Sequence, residues 1–313
     1  MSIAVLIVNF RGYDDLDRCL ESLSPQLRPD DEVVVVDQES DERQLARVAA
    51  RHPRIVAIPR TENLGFAAGV NFAVRHTRAP FVLLLNPDTI VDGPLLSVME
   101  QWLIAHPQTA VVGPRVLNGD RSTQPSARRF PGLSTVFGGR STWLTRRHPN
   151  NRWSRANLLG VHAKAALDVD WIAGSCLMTR RDVFERLGGL DERFFLYWED
   201  ADYCRRVGAE GGRCTYLPTV AVQHLGGGSA RYTLPRAIRA FHESAFRLYW
   251  KHAGWRGRIA APLVRAGLFL RREMRLHSAR RETIATTAAK RPALTIDPIS
   301  NAGPTLAEAE PSS

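Results

Sequence analysis

The chain has 313 residues, 44% of them hydrophobic and 24% charged, four cysteines and a formal charge of +10. That is enough apolar material for one large α/β domain or two small ones, and it excludes a collagen-like chain, a disulfide scaffold and a wholly disordered polypeptide. The longest uninterrupted apolar runs, such as Phe81–Leu85, fall far short of the roughly 18 residues that suggest a membrane span.

The opening ten residues, MSIAVLIVNF, have neither the charged start nor the small-residue cleavage site of a secretory signal. Their β-branched residues predict a first core strand over Ile3–Val8 in a protein that stays in the cytoplasm. Helices are expected over Asp14–Leu23, Glu42–Arg51 and Phe66–His76, alternating with strands over Glu32–Asp37, Ile55–Pro59 and Phe81–Leu85. In the first helix Leu16, Cys19, Leu20 and Leu23 recur at helical spacing, whereas Glu32-Val-Val-Val-Val-Asp37 is too short and too β-branched for anything but a buried strand. The alternation implies a parallel sheet covered by helices. In such a sheet the carboxyl ends of the strands form the ligand crevice, and here those ends carry Asn9, Asp37, Asn86 and Asp88.

Each of these residues has two readings. The Asp37 carboxylate can accept a hydrogen bond from a nucleobase imide N–H, or it can cap a helix or turn. In Asn63-Leu-Gly-Phe-Ala-Ala-Gly-Val-Asn71, Gly65 permits a tight approach at a helix start, where exposed N–H groups suit a phosphate or ribose. Asn86-Pro-Asp88 places a carboxylate at the crevice, where it can serve a hard cation such as Mg²⁺ or Mn²⁺ or simply form a turn.

From Asn118 to Lys164 the pattern weakens into an irregular excursion rich in Arg, Pro, Gly and Ser. A strand is expected over Trp171–Met178, then a helix opened by Thr179-Arg-Arg-Asp182 and ended by Gly188 and Gly189, and a second helix after Trp198. Trp198-Glu-Asp-Ala-Asp202 crowds three carboxylates beside aromatic rings. Such crowding raises a carboxyl pKa toward the range useful to a base, or it feeds a helix dipole. His224, before a Gly226-Gly-Gly-Ser229 run, is either structural or a neutral ligand to a metal held by Asp88. The four cysteines lack Cys-x-x-Cys spacing and are expected as reduced packing residues.

Residues 231–290 hold fourteen Lys/Arg against three Asp/Glu, so nearly all the net charge lies there. Basic amphipathic helices are expected over Arg236–Trp250 and Ile259–Leu276, and a disordered tail after about His277. Charge alone fits DNA, RNA, an acidic membrane or a phosphate-bearing lipid.

In their joint order, Val8-Asn9-Phe10, Asp37, Asn63–Asn71, Asn86-Pro-Asp88, Gly174-Ser175, Gly188–Asp202 and His224 resemble the inverting family-two glycosyltransferases of GT-A fold. The match spans roughly residues 3–230. Gln124-Pro-Ser-Ala-Arg-Arg-Phe-Pro131 looks most similar to the rhamnosyltransferase branch that acts on polyprenyl-diphosphate-linked sugars. The resemblance implies a Rossmann-like, mostly parallel central sheet flanked by helices, with a nucleotide-binding half at 1–117, an acceptor-binding half at 118–230, a membrane-associating region at 231–276 and a tail at 277–313. It implies that Asp37 reads a uracil or thymine ring and that Asn63, Gly65 and Asn71 hold the nucleotide. Asn9, Asn86, Trp198 and Glu199 complete the substrate contacts. Asp88 and His224 bind Mg²⁺ or Mn²⁺, and Asp200 is the catalytic base. The family's Asp-x-Asp pair appears here without its first carboxylate, as Asn86-Pro-Asp88. The implied partners are a dTDP- or UDP-sugar donor, a glycan or polyprenyl-diphosphate-linked acceptor and the inner face of the cell membrane, with no nucleic acid. A basic nucleic-acid-binding protein, a non-enzymatic sugar-nucleotide sensor and a UDP-hexose transferase are the rivals.

Overall fold

Seven consecutive buried residues, Ile3–Asn9, form strand β1, and everything in the amino-terminal half is arranged around it. The structure is a computed structural model that describes residues 1–130, 147–148, 159, 163–226 and 234–289, the last eight of these by their helical backbone. After β1 come α1 (Tyr13–Leu23), β2 (Glu32–Gln38), α2 (Glu42–Arg51), β3 (Ile55–Arg60), α3 (Phe66–Val74), β4 (Phe81–Leu85), β5 (Thr89–Asp92), α4 (Leu95–Ala105) and β6 (Thr109–Leu117). Short strands β7 (Thr123–Gln124), β8 (Ala127–Arg128), β9 (Leu167–Val169) and β10 (Trp171–Ile172) precede β11 (Cys176–Arg180), α5 (Arg181–Arg186), α6 (Glu199–Ala209) and β12 (Arg213–His224). Two helices close the described chain, α7 (Leu234–His252) and α8 (Trp255–Ala289).

The main sheet runs β3-β2-β1-β4-β11-β6-β12-β5. The first four strands are parallel, β11 enters antiparallel between β4 and β6, and β6 and β12 run parallel to each other. The period of two in β1, β2 and β4 divides their side chains between the two sides of the sheet. Ala4, Leu6, Val34, Val36, Val82 and Leu84 pack with α3 residues, while Ile3, Val5, Val33, Val35, Leu83 and Leu85 pack with Leu16, Cys19, Leu20 and Leu23 of α1. Both sides are covered, which is why these strands read as continuous apolar runs rather than alternating ones. All four cysteines are buried and unbridged, as expected of packing residues.

Three expectations need correction. The strand predicted over Trp171–Met178 is broken at residues 173–175, where the backbone leaves the ladder: Ala173 N donates to Ser126 O and Gly174 N to the Asp200 carboxylate. The helix predicted to His76 ends at Val74. Residues 278–289, expected to belong to a disordered tail, are helical, because α8 continues to Ala289. Residues 277–289 hold four alanines, two arginines and a glutamate beside three threonines, enough good helix formers to extend an already nucleated helix without a core of their own. Most of the 118–164 excursion after Phe130, Pro131 of the Gln124–Pro131 motif, the Gly227–Ser229 part of the glycine run and the tail beyond residue 289 lie outside the described residues.

Candidate active site

Residues 86–88 join two strands that follow one another in the chain but not in the sheet. β4 ends at Leu85 in mid-sheet, while β5 begins at Thr89 on the edge beside β12. The β5–β12 register sets His224 opposite Thr89, and so beside Asp88. His224 Nε2 lies 3.2 Å from Asp88 Oδ1. The other ring nitrogen, Nδ1, is 2.9 Å from Gln124 Oε1 on β7. An amide oxygen accepts, so Nδ1 carries a proton toward Gln124, and in the neutral ring Nε2 then presents a lone pair. Asn86 Nδ2 approaches that lone pair at 3.4 Å. A carboxylate oxygen and an imidazole lone pair facing each other repel unless a proton or cation lies between them, and this donor pair suits Mg²⁺ or Mn²⁺. Among the described residues no cluster of three or more His, Cys, Asp or Glu side chains could hold an ion. A cation here would therefore take its remaining oxygens from substrate and water.

Backbone contacts lead from this corner to Asp200. Asn86 N donates to Ser175 O at 3.0 Å, and the adjacent Gly174 N donates to Asp200 Oδ2 at 2.8 Å. Ala201 N, at the start of α6, donates to Asp200 Oδ1 at 2.7 Å. Burial raises the Asp200 carboxyl pKa above its ordinary value, while the two N–H groups and the Arg128 charge pull it back. Next to it Glu199 is buried, and burial followed by repulsion from Asp200 pushes its carboxyl well up. Burial also raises the Tyr197 phenol, with the Glu199 and Asp88 charges adding to the effect.

The segment before α6 is strained. Tyr197 and Trp198 adopt φ of 68° and 72°, left-handed conformations that bulky residues avoid and that persist only when their surroundings enforce them. Those surroundings are α7 and β10. The Phe241 ring lies 5.7 Å from Tyr197 and 5.3 Å from Trp198, Trp171 lies 5.9 Å from Trp198, and Ser244 Oγ donates to Leu196 O. One turn into α6 the wholly buried Asp202 accepts from Arg206, Lys251 and His252, which ties α7 to the helix that carries Asp200.

Asn9 and Asp37 end adjacent strands in register and are both wholly buried. Asn9 Nδ2 donates to Asp37 Oδ1 at 2.7 Å, and Tyr13 and Ser40 hydroxyls donate to Oδ2. Burial raises the Asp37 pKa, and the three donors oppose it. Strands in a sheet lie about 4.8 Å apart, so the edge from Asp37 across β1 to Asn86 spans about 10 Å. Gln38 braces the neighbouring turn, accepting from Leu64 N and donating to Gly65 O, while Asn63 Oδ1 accepts from Gly65 N. Gly65 has φ of 95°, and a Cβ there would sit 2.3 Å from Phe195 O, so only glycine fits. Asn71 is the residue the structure sets apart. It faces away from the edge and clamps Leu190, giving Nδ2 to Leu190 O and taking Leu190 N on Oδ1.

Asp88, His224, Asn86 and Asp200 thus share one edge, with Asn9 one strand and Asp37 two strands along it. Of eight buried side-chain polar atoms without a partner among the described residues, four belong to Asn9, Ser175, Trp198 and Glu199 of this edge. Buried polar atoms of this kind call for a partner such as water or a polar ligand. Sequence reasoning missed Gln124 as the partner of His224, the amide of Gly174, and Tyr13. Gln124 stood inside a recognised motif, but only its pairing with β6 puts it beside the histidine.

Residues 4–188 match the model of the family described as Glycosyl transferase family 2. An N-acetylglucosaminyl-diphospho-decaprenol L-rhamnosyltransferase of Mycobacterium tuberculosis is 30% identical over 301 residues, covering 90% of this chain and 95% of the relative. Rhamnosyltransferase WbbL of Escherichia coli is 22% identical over 253 residues, covering 78% and 91%. Among solved structures, mannosyltransferase PcManGT from Pyrobaculum calidifontis, in complex with GDP-Man and Mn²⁺, superposes with a TM-score of 0.55 at 18% identity, covering 93% of this chain and 76% of that one. The mostly parallel sheet flanked by helices is thus of GT-A type, as the sequence motifs implied.

Proposed function

The chain belongs to glycosyl transferase family 2 and is a glycosyltransferase, and from that premise we propose that it moves an L-rhamnosyl group from dTDP-rhamnose, with inversion, to a polyprenyl-diphosphate-linked sugar in cell-envelope glycan synthesis. The observation that carries the choice of sugar and acceptor is the 30% identity extending over 95% of the M. tuberculosis rhamnosyltransferase.

Residue roles follow from the chemistry of the edge. An acceptor hydroxyl is too weakly acidic to attack an anomeric carbon unaided, so a carboxylate must take its proton as the new bond forms. Asp200 suits this task. Its two backbone donors fix its orientation, and its raised pKa makes it a stronger base than a solvated aspartate. Attack from the side of Asp200, opposite the departing diphosphate, inverts the anomeric centre. Asp88 and His224 would hold a divalent cation, Mg²⁺ or Mn²⁺, which supplies positive charge to the leaving diphosphate. Asn86 Nδ2 offers a neutral donor on the same side. The Asn9–Asp37–Tyr13 network shapes the far end of the edge for the thymine ring, and Asn63 with Gly65 holds the turn against the nucleotide. Trp198 walls the sugar, and burial followed by repulsion from Asp200 disfavours the charged form of Glu199. We place the enzyme at the inner face of the cell membrane, where such acceptors are held.

The test is a donor panel. The purified protein is incubated with dTDP-rhamnose or a series of UDP-hexoses and a polyprenyl-diphosphate N-acetylglucosamine acceptor, with and without Mn²⁺, and products are read by mass spectrometry and NMR. Rhamnosyl transfer with inversion is expected. Turnover of a UDP-hexose alone would replace the donor assignment.

A further inference from the structure

A helix that packs one side against its own protein normally shows water a polar face, and α8 does not. Ala261 and Leu276 are buried on its inner side, where it meets α7, and the Tyr249 hydroxyl donates to Gly257 O near the helix start. On another side Trp255, Ile259, Leu263, Leu270 and Met274 stand 61–79% exposed. At 3.6 residues per turn these five fall within an arc of about 100° over Trp255–Met274, an apolar stripe with Arg256 and Glu273 at its two edges. Arg271 lies about 60° outside the stripe on one side, and Arg258 and Arg265 about 60° and 80° outside it on the other. The last two rest over Trp250 and Phe246 of α7 at 5.4 and 5.6 Å. The only acidic residue between Trp255 and Arg281, Glu273, is neutralised by Arg272 at 2.9 Å.

An apolar stripe with cations on both shoulders is the form of a helix lying in a membrane interface, its apolar side sunk among acyl chains and its arginines at the headgroups. No helix among the described residues is long and apolar enough to cross a membrane. We infer that α8 lies flat on an anionic leaflet through the Trp255–Met274 stripe and anchors the protein to that surface. Charge complementarity favours a lipid surface over a second copy of the chain, since two such helices would bring their flanking arginines together. Because α7 joins α8 to the Tyr197–Trp198 segment and to Asp202, the anchored helix is coupled mechanically to the carboxylate edge.

The experiment is vesicle flotation of the full chain, which reads binding without any transfer and so stands or falls separately from the donor and acceptor assignments. Vesicles of phosphatidylcholine alone are compared with vesicles containing phosphatidylglycerol, at low and high salt. Binding is expected to the anionic vesicles and to weaken with salt. Replacing Ile259 and Leu263 together by Ser should reduce partitioning about a hundredfold. The pair Arg258→Gln and Arg271→Gln should reduce it about thirtyfold. Both pairs alter exposed positions, and unchanged thermal melting confirms that they fold. Absence of binding, equal binding to neutral and anionic vesicles, or wild-type binding by the stripe variant overturns the proposal. So does a dimer in analytical ultracentrifugation that the stripe variant dissolves.

Discussion

The imidazole of His224 stands between two oxygens, Nε2 3.2 Å from the Asp88 carboxylate and Nδ1 2.9 Å from Gln124 Oε1. The contact with Asp88 exists because a strand that ends at His224 lies in register with one that begins immediately after Asp88. Gln124 decides its chemistry by holding a ring proton on the far nitrogen.

Gln124→Leu is therefore expected to weaken Mn²⁺ binding about 10- to 100-fold, the usual effect of losing an outer partner of a metal-ligating histidine. Asp88→Ala should abolish the binding. Calorimetric titration of Mn²⁺ in the presence of dTDP measures both.

Asp200→Asn keeps the shape of the side chain and removes its basicity. Turnover should fall about 10²- to 10⁴-fold while dTDP-rhamnose affinity stays within a factor of about two, because the donor is bound by other residues. Steady-state kinetics and equilibrium binding separate the two effects. In the wild type the raised Asp200 pKa predicts that kcat falls as pH is lowered through a point above the ordinary aspartate value of about 3.9.

Glu199 supplies a stability test with a defined sign. Its folded pKa is raised, so the folded state holds the proton after the unfolded chain has released it, and stability is lost as pH climbs from about 4.3 through the raised value. Glu199→Gln imitates the protonated side chain. Its melting temperature should match the wild type near pH 4 and exceed it by a growing margin toward pH 8, as read by calorimetry across that range.

Asp202→Ala leaves Lys251, Arg206 and His252 without their shared buried carboxylate. Removing one member of such a group costs about 3 kcal/mol. Urea denaturation should show the loss, and hydrogen exchange should show α7 amides deprotected first as the helix loses its hold on α6.

Local pattern told most of the amino-terminal half. The valines of β2, the Leu16–Cys19–Leu20–Leu23 face of α1 and the polar ends of β1, β2 and β4 need only neighbouring residues to be read. Asn71 shows the limit. Its place in a glycine-containing turn suggested ligand contact, but Gly189, with φ of 74°, brings the Leu190 backbone close enough to take both ends of its amide. Likewise nothing near Gly174 in sequence announces that its amide meets Asp200, because that contact depends on a break in the ladder between β10 and β11. Pattern identifies residues fit for chemistry. Which of them the fold spends on its own backbone is decided by long-range pairing.

The corner at residues 86–88 also dictates when competence can arise during synthesis. A ribosome that has released the first ninety or so residues has made Asn9, Asp37 and Asp88, yet the edge on which Asp88 must rest is supplied by β12, among the last strands to emerge. Closing that gap is a pairing of high sequence separation and hence a slow one. A polypeptide cut short of His224 would carry Asp88 without its facing imidazole and without the strand that sets the two side by side.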